Sequence, residues 1–568
     1  MKLFSQTCEN LLNESGSLNK IEIISNALKK TKTNEEVYLF CLYLTGQIYP
    51  ASIQKTINVG KALLRDAVIN LIGITKEEWE RKYREYGETG EAVFALLSET
   101  SFKKSNKNSV DSALLVIEKK YQYSPKENFS LDELSKYIDR LSETSGSLAK
   151  VDILTELLSN LSPLDAKFAC KLLLQNLRIG VQEATVEAAI AKAFEVEKKQ
   201  VSHLNFYLGN IGEVAIRCKN KNFSDVEFRL FHPIKAMLAS AEVEVDEIFK
   251  RMNGEVWAEY KYDGVRAHIH KKDQRVEIYT RDLKRITDQF PDIVDYFLNI
   301  RPDNFLIDGE IVPFSGGTIH PFAYVQKRLG RKEGLEEEVK NNPAAFIAYD
   351  FLYYNNQVLF DMTLKDRRNL LERVFSNENM MFSSKKVVKT SDEFLDFFRK
   401  SKQEGREGLM IKNPESKYES GKRGIHWLKY KQTLDPLDVV IMIAEFGEGK
   451  NAKYLSSFTF GVWDEKKENI IPIGRVASGA TEDDLKNFTE YLPTISKEKI
   501  PNGYKVQPMA ILEVGFENIQ QSDRYSSGYA VRFPRILRNR TGDKPLDEIS
   551  TIDDVKRIYR LIEGKTTK

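Results

Sequence analysis

One stretch constrains the fold of this chain more than any other: Glu255-Val256-Trp257-Ala258-Glu259-Tyr260-Lys261-Tyr262-Asp263-Gly264-Val265-Arg266-Ala267-His268-Ile269-His270. Apolar residues alternate on both sides of its centre, Val256 and Ala258 before it, Ala267 and Ile269 after it. A period of two is strand periodicity, and an Asp-Gly pair is turn chemistry. Lys261 is therefore expected at the end of one strand, with a tight turn leading into the next. A lysine fixed in this way can be held rigidly beside a phosphate. An amine attacks phosphorus only when neutral, and a free lysine has a pKa of about 10.4. Burial between strands, with Arg266 as a second cation, is expected to lower that value and make the amine nucleophilic. A hairpin carrying a solvated lysine fits the same residues, so this stretch alone does not decide.

Five further stretches follow in order. They are Phe305-Leu306-Ile307-Asp308-Gly309-Glu310-Ile311-Val312, Ala348-Tyr349-Asp350-Phe351-Leu352, Glu407-Gly408-Leu409-Met410-Ile411-Lys412, Trp427-Leu428-Lys429-Tyr430-Lys431 and Arg532-Phe533-Pro534-Arg535. Glu310 is an acid inside an apolar strand, costly unless it is paired. Lys429 and Lys431 alternate with Leu428 and Tyr430, which puts both lysines on one strand face. In this order and at these intervals the set resembles the covalent nucleotidyltransferases, specifically ATP-dependent DNA ligases of the archaeal type. The resemblance covers nearly the whole chain.

That resemblance implies a mechanism and a set of roles. Lys261 attacks the α-phosphorus of ATP and keeps AMP; the AMP passes to the 5′-phosphate at a nick, and the 3′-hydroxyl displaces it. Glu259 contacts adenine and Phe351 stacks on it. Arg266 and Arg281 reach the ribose and phosphate side, Glu310 the ribose and Mg²⁺, with Glu407 as a second metal ligand. Lys429 and Lys431 face the α-phosphate, and Arg423 matches an arginine of the preceding loop. Two departures stand out. Ala236 occupies a position where relatives usually have Pro. Thr541-Gly542 puts two residues between Arg540 and Asp543-Lys544, where relatives usually have one. The cations of that last segment are expected to meet the leaving pyrophosphate.

At 568 residues the chain should form about three domains,. Residues 1–230 read as helices, with Val151, Leu154, Leu157, Leu158 and Leu161 at helical spacing,. They also contain an echo: Ser15-Gly16-Ser17-Leu18 returns as Ser145-Gly146-Ser147-Leu148, and Gly90-Glu91-Ala92-Val93 resembles Gly212-Glu213-Val214-Ala215 at a shifted offset. Two related helical halves, joined by a polar stretch around residues 99–110, are expected. The resemblance makes this region an all-helical DNA-binding domain, with Arg178, Arg217, Lys219 and Lys221 as candidate phosphate contacts. Residues 231–435 read as mixed α and β, the adenylation domain of the family. Asn355-Asn356 looks like a hairpin turn, and the charged stretch near 324–340 looks helical and exposed. Residues 436–568 read as short strands with polar turns, including one at Gly447–Gly449, hence a small barrel; the family has an OB-fold there.

Charge excludes little: 85 basic and 83 acidic residues nearly cancel. Cys8, Cys41, Cys170 and Cys218 form no C-x-x-C pair, so a zinc site is not expected and a reduced, cytoplasmic setting is,. No apolar run reaches membrane-spanning length,. The expected partner is nicked duplex DNA, with a sliding clamp as a further candidate and a monomeric chain. An RNA ligase or a capping guanylyltransferase fits less well, because of the large helical region. A DNA-binding protein with a dead transferase core is opposed by intact Lys261, Glu310, Lys429 and Lys431.

Overall fold

The computed structural model describes every residue except 106–120, 243, 254–255, 332, 432–433, 449–450 and 563–568. Twelve helices come first among the described residues: α1 (Lys2–Leu12), α2 (Ser17–Leu28), α3 (Asn34–Leu44), α4 (Lys61–Ile72), α5 (Lys76–Tyr86), α6 (Thr89–Ser105), α7 (Leu131–Glu143), α8 (Ser147–Ser159), α9 (Pro163–Leu173), α10 (Glu183–Ala193), α11 (Lys198–Leu208) and α12 (Ile211–Lys219). Side-chain caps set many of the starts. Thr33, Thr75, Ser130, Ser162 and Asn210 each accept a backbone N–H from the first turn,. The echoed helices α2 and α8 start instead behind glycines, Gly16 and Gly146.

The echo turns out to be an interlock. Helix α2 packs on α10 while α8 packs on α4; α3 packs on α12 while α9 packs on α6; α1 packs on α9 while α7 packs on α3. Each contact is repeated with the halves exchanged. Lys20 of α2 donates to the carbonyls of Ile179 and Gly180, both at 3.1 Å. Its equivalent on α8, Lys150, donates to the carbonyl of Ile57 at 2.5 Å. The receiving segments also correspond, since Asn58 (φ 47°) and Gly180 (φ 63°) share a left-handed backbone. One apolar core runs from Met1 to Cys218 through both halves. The stretch expected to join them is helical up to Ser105; its residues 106–110 lie outside the described residues.

Twelve strands follow: β1 (Leu238–Ala241), β2 (Val256–Lys261), β3 (Val265–Lys272), β4 (Arg275–Thr280), β5 (Asn304–Ser315), β6 (Thr318–Ile319), β7 (Ala344–Tyr354), β8 (Gln357–Val358), β9 (Met381–Phe382), β10 (Lys385–Val388), β11 (Gly408–Lys412) and β12 (Arg423–Lys431). They form a five-stranded sheet, β1-β12-β11-β2-β10, and a seven-stranded one, β4-β3-β5-β7-β8 with β6 on β5 and β9 on β7. The central stretch is therefore not a hairpin: β2 and β3 belong to different sheets, and the chain changes sheet at residues 262–264. Gly264 permits this, because a Cβ there would collide with the Ile311 carbonyl and lie 2.8 Å from Cγ of Glu310,. Asn355 and Asn356, at φ 43° and 65°, do make the turn between β7 and β8,. The stretch near 324–340 is not one exposed helix. It holds two short ones, Ala323–Gln326 and Leu335–Asn341, separated by Gly330 and Gly334 at positive φ, and Val325 and Arg328 are buried.

The last nine strands are β13 (Leu437–Phe446), β14 (Leu455–Trp463), β15 (Ile470–Val476), β16 (Ser496–Ile500), β17 (Gly503–Val506), β18 (Ile511–Gly515), β19 (Asn518–Gln521), β20 (Tyr529–Arg532) and β21 (Arg535–Asn539). The long β13 pairs along one edge with β14, and along the other with β18 at its start and β17 at its end. Irregular register at Ile441/Ile443 marks a bend between these halves,. Helices Glu482–Tyr491 and Ile552–Ile562 pack their apolar faces on this sheet. Of the turn expected at Gly447–Gly449, Gly449 lies outside the described residues. By compactness the chain divides into two units, one of residues 1–236, 266–308 and 352–359, the other of 237–265, 309–351 and 360–568.

Candidate active site

Strand register assembles the lysines. β11 is antiparallel to β2 on one side and to β12 on the other, so Gly408 stands between Lys261 and Lys431. The next row holds Glu259, Met410 and Lys429; the one beyond holds Trp257, Lys412 and Trp427. Side chains two apart share a face, so Lys261, Glu259, Lys429 and Lys431 all look the same way. At Gly408 (φ 152°) a Cβ would collide with the Tyr430 carbonyl, which keeps the position between the two lysines open.

Charge is dense on that face. Glu407 pairs with Lys261, and with Lys431 at 3.2 Å. Burial alone would raise its carboxyl pKa, but Lys261 and Lys431 outweigh burial and bring it down to about 2,. Asp263 goes the other way: burial and repulsion from Glu407 lift it to about 6, against the pull of Lys261, Arg532 and Lys431. Burial lowers the Lys429 ammonium pKa, and Lys431, Lys261 and Arg423 add to that, with Glu517 opposing. For Lys431, burial is outweighed by Glu407 and Glu517, so its pKa is raised.

Glu259 is 2% exposed. It accepts from Ser383 at 2.7 Å and from Lys412 at 2.8 Å, and Arg368 lies 3.8 Å away. Lys412 and Arg368 overcome burial and hold its carboxyl below the usual range. Its Oε1 is buried and accepts no hydrogen bond among the described residues, an acceptor left open for a donor from elsewhere. Lys412 also lies over two rings, Tyr349 at 4.6 Å and Trp427 at 4.5 Å. The Tyr349 hydroxyl donates to Glu310 at 3.4 Å. Phe351, expected to stack on a base, is fully buried and packs edge-on against Phe375. It offers no open face; Tyr349, two residues earlier, is only partly buried.

Arg266 was expected to act as a second cation beside the lysine. It instead forks onto buried Asp308, at 3.1 and 2.6 Å, with His268 3.4 Å from the same carboxylate. Burial opposes ionisation of Asp308, yet Arg266 and His268 hold its carboxyl far below the ordinary range. A depressed folded pKa gives stability that is present above the unfolded value of about 3.9 and lost as pH falls towards the folded one. Asp308→Asn should therefore cost about 3–5 kcal/mol at neutral pH, and the gap to the wild type should narrow below about pH 3.9. Denaturant titrations from pH 7 to 3 test this; a gap independent of pH would remove the ion pair as its cause. Arg281 is exposed in the turn after β4, and Arg423 is exposed at the start of β12.

Of the other expected phosphate contacts, Arg217 is spent on Glu213 and the Ser224 carbonyl, Lys221 on the carbonyls of Phe194 and Glu195, and Lys219 reaches that of Thr33. Arg178 is exposed and donates to Asn176. In the last segment, Lys544 pairs with Asp438 at 3.3 Å, and Arg540 with Asp438 and Asp543 at 3.4 and 3.2 Å. Arg535 is exposed and makes no ion pair among the described residues.

Lys412, Arg368, Ser383, Tyr349 and Glu517 were not anticipated. Lys412 could have been: it closes the Glu407–Lys412 stretch, in step with Gly408 and Met410. Glu517 carries no sequence signal at all.

A strand-end lysine flanked by further strand-borne lysines, above a buried carboxylate with one acceptor free, suits nucleotidyl transfer. Comparison with known proteins gives the same answer. Profiles described as "DNA ligase N terminus", "ATP dependent DNA ligase domain" and "ATP dependent DNA ligase C terminal region" match residues 1–191, 236–431 and 451–543. The DNA ligase of Archaeoglobus fulgidus is 33% identical over 98% of both chains. That of Thermococcus fumicolans is 32% identical over 96% of this chain and 95% of its own. A solved structure titled "Pmar-Lig_PreS3" shares the fold, with a TM-score of 0.61 at 18% identity, covering 94% of this chain and 99% of that one. The chain belongs to the ATP-dependent DNA ligases. Among the described residues, no helix is long and apolar enough to cross a membrane.

Proposed function

We propose that this chain seals nicks in duplex DNA through an AMP adduct on Lys261. The observation that carries the reading is the register that places Lys261, Gly408 and Lys431 in one row beside Glu407. In the first step the Lys261 amine, having given up its proton, forms a bond to the α-phosphorus of ATP, and pyrophosphate leaves. The 5′-phosphate of the nick next takes AMP from the lysine. The 3′-hydroxyl then attacks that phosphate, forms the phosphodiester and releases AMP. Positioning and charge neutralisation supply most of the catalysis in such transfers.

Glu259 Oε1 suits an amino group of adenine, and partly buried Tyr349, rather than Phe351, suits its ring face. Lys429 and Lys431 meet the α-phosphate, with Arg423 on the ribose and phosphate side, while Arg266 stays with Asp308. No group of three or more acid, His or Cys ligands occurs among the described residues. Two carboxylates suit Mg²⁺, which takes its other ligands from water and phosphates. Glu310 and Glu407 would hold it, and bound there it would neutralise phosphate charge. Glu407 is engaged by lysines until phosphates draw them away. The reading assigns DNA binding to residues 1–230, adenylation to 231–435 and an OB-fold to 436–568. It makes the chain a monomer in replication, repair and recombination, with a sliding clamp as a partner.

Incubation with ATP labelled at the α-phosphate should leave label on the denatured protein; γ-labelled ATP should not. No α-label, or label from both, overturns the reading. The last segment adds a second expectation. Cations that stabilise leaving pyrophosphate are needed only in the first step. Arg535 has its charge free for this, whereas Lys544 and Arg540 already brace Asp438. Arg535→Ala should slow adenylation about 10²-fold, while sealing of a nick already carrying AMP changes little. Equal slowing of both reactions would make the segment structural or DNA-bound.

A further inference from the structure

The β19–β20 hairpin brings an acid of the strand-rich C-terminal region to the lysine face. Glu517, immediately before β19, is backbone-bonded to Arg532 at the end of β20, its N–H donating to the Arg532 carbonyl at 3.1 Å. The Glu517 carboxylate accepts from Lys431 at 3.1 Å. Arg532 lies 5.9 Å from the Phe322 ring. Acid thus meets lysine across the hairpin and the five-stranded sheet. The result is an alternating row, Lys261, Glu407, Lys431, Glu517, in which every cation has a carboxylate without any nucleotide.

We propose that Glu517 is a positioning residue which stands in for a nucleotide phosphate on Lys431 and competes with ATP for it. The proposal rests on the reading that Lys431 meets phosphates. One ammonium cannot satisfy both a carboxylate and the α-phosphate at full strength, and the carboxylate repels the incoming triphosphate at close range. Glu517 therefore has to leave Lys431 before ATP binds productively, and it returns when the site empties. Its side chain is 49% exposed, and its removal still leaves Lys431 paired with Glu407. Once AMP is on Lys261 the competition is over, which confines the effect of Glu517 to the first step.

The test uses the full-length protein, stripped of AMP with pyrophosphate. Single-turnover adenylation is measured across ATP concentrations for the wild type, Glu517→Gln and Glu517→Ala. Both variants should reach half-maximal rate at about tenfold less ATP, the scale of one charge-assisted hydrogen bond. Their maximal rates should be little changed, and sealing of a nicked duplex already carrying AMP should match the wild type. The gap in ATP requirement between the wild type and Glu517→Gln should also narrow as salt rises and screens the pair. An unchanged half-saturating concentration in both variants overturns the proposal. So does a loss of maximal rate alone, which is what a merely structural residue would give. A wild type that forms no adduct overturns the ligase reading instead, and the two failures are distinct.

Discussion

Lys261→Ala should abolish the covalent adduct with ATP, a loss of at least about 10⁴-fold, yet leave binding to nicked duplex near the wild-type level. The expectation follows from register. Lys261 ends β2 at the position where Gly408 leaves the face open, and two of the neighbouring lysines are committed elsewhere: Lys431 to Glu407 and Glu517, Lys412 to Glu259. Neither of these two can take over attack on phosphorus without breaking a charged pair, and Lys429 stands one row away, opposite Met410 rather than Gly408. The same variant should retain part of its ability to seal a nick already carrying AMP, since that step needs no new bond to the lysine. A gel that still shows labelled protein after denaturation would move the nucleophile to another residue.

Asp350→Ala should cost about 3–5 kcal/mol of stability. Asp350 and Arg367 are both wholly buried and share two hydrogen bonds, 2.7 and 2.8 Å. Arg367 also donates to the carbonyls of Met362 and Ser416, and the Phe351 N–H donates to Asp350. The pair thus ties β7, the strand carrying Tyr349, to helix Leu364–Val374. Removing the carboxylate strands a guanidinium in the interior, which is far more costly than losing one contact. Total stabilities of about 5–15 kcal/mol leave little margin for that. Removing both charges, Asp350→Leu with Arg367→Met, should recover part of the loss. Urea unfolding of the single and double variants decides it: a single variant within about 0.5 kcal/mol of the wild type, the range of ordinary surface changes, would show the pair to be dispensable.

Much of the site was legible because strands alternate. Lys429 and Lys431 shared a face on paper and share it in the sheet, and Glu259 and Lys261 likewise. What could not be read was which charges are already spent. Arg266 stands five positions from Lys261, but its partner Asp308 is 42 positions further on, where only tertiary structure brings it. Phe351 and Tyr349 alternate on one strand and look equivalent as aromatics; the packing of Phe375 covers the first. The open oxygen of Glu259 depends on Ser383, Arg368 and Lys412, which come from the link between β9 and β10, a helix and β11. The sheet change at residues 262–264 was hidden for a similar reason. An Asp-Gly pair signals a turn but not its destination, and the collision that forces glycine there comes from Ile311.

The interlock of the helical region bears on how such a chain reaches its native state. Helix α2 rests on α1 but gains its larger packing partner only when residues 183–193 have been made, and Lys20 waits for the carbonyls of Ile179 and Gly180. Helix α4, conversely, waits for α8. Much of each half's apolar surface is covered only by the other, so the first half leaves the ribosome with part of that surface uncovered until most of the second has emerged. Contacts between residues so distant in sequence slow folding and expose intermediates to association. The same reciprocity offers an error: two chains can trade second halves, each α2 accepting the other chain's α10, with every native contact preserved. Concentration during synthesis or refolding then decides between one closed chain and an exchanged pair, and dilute refolding favours the first.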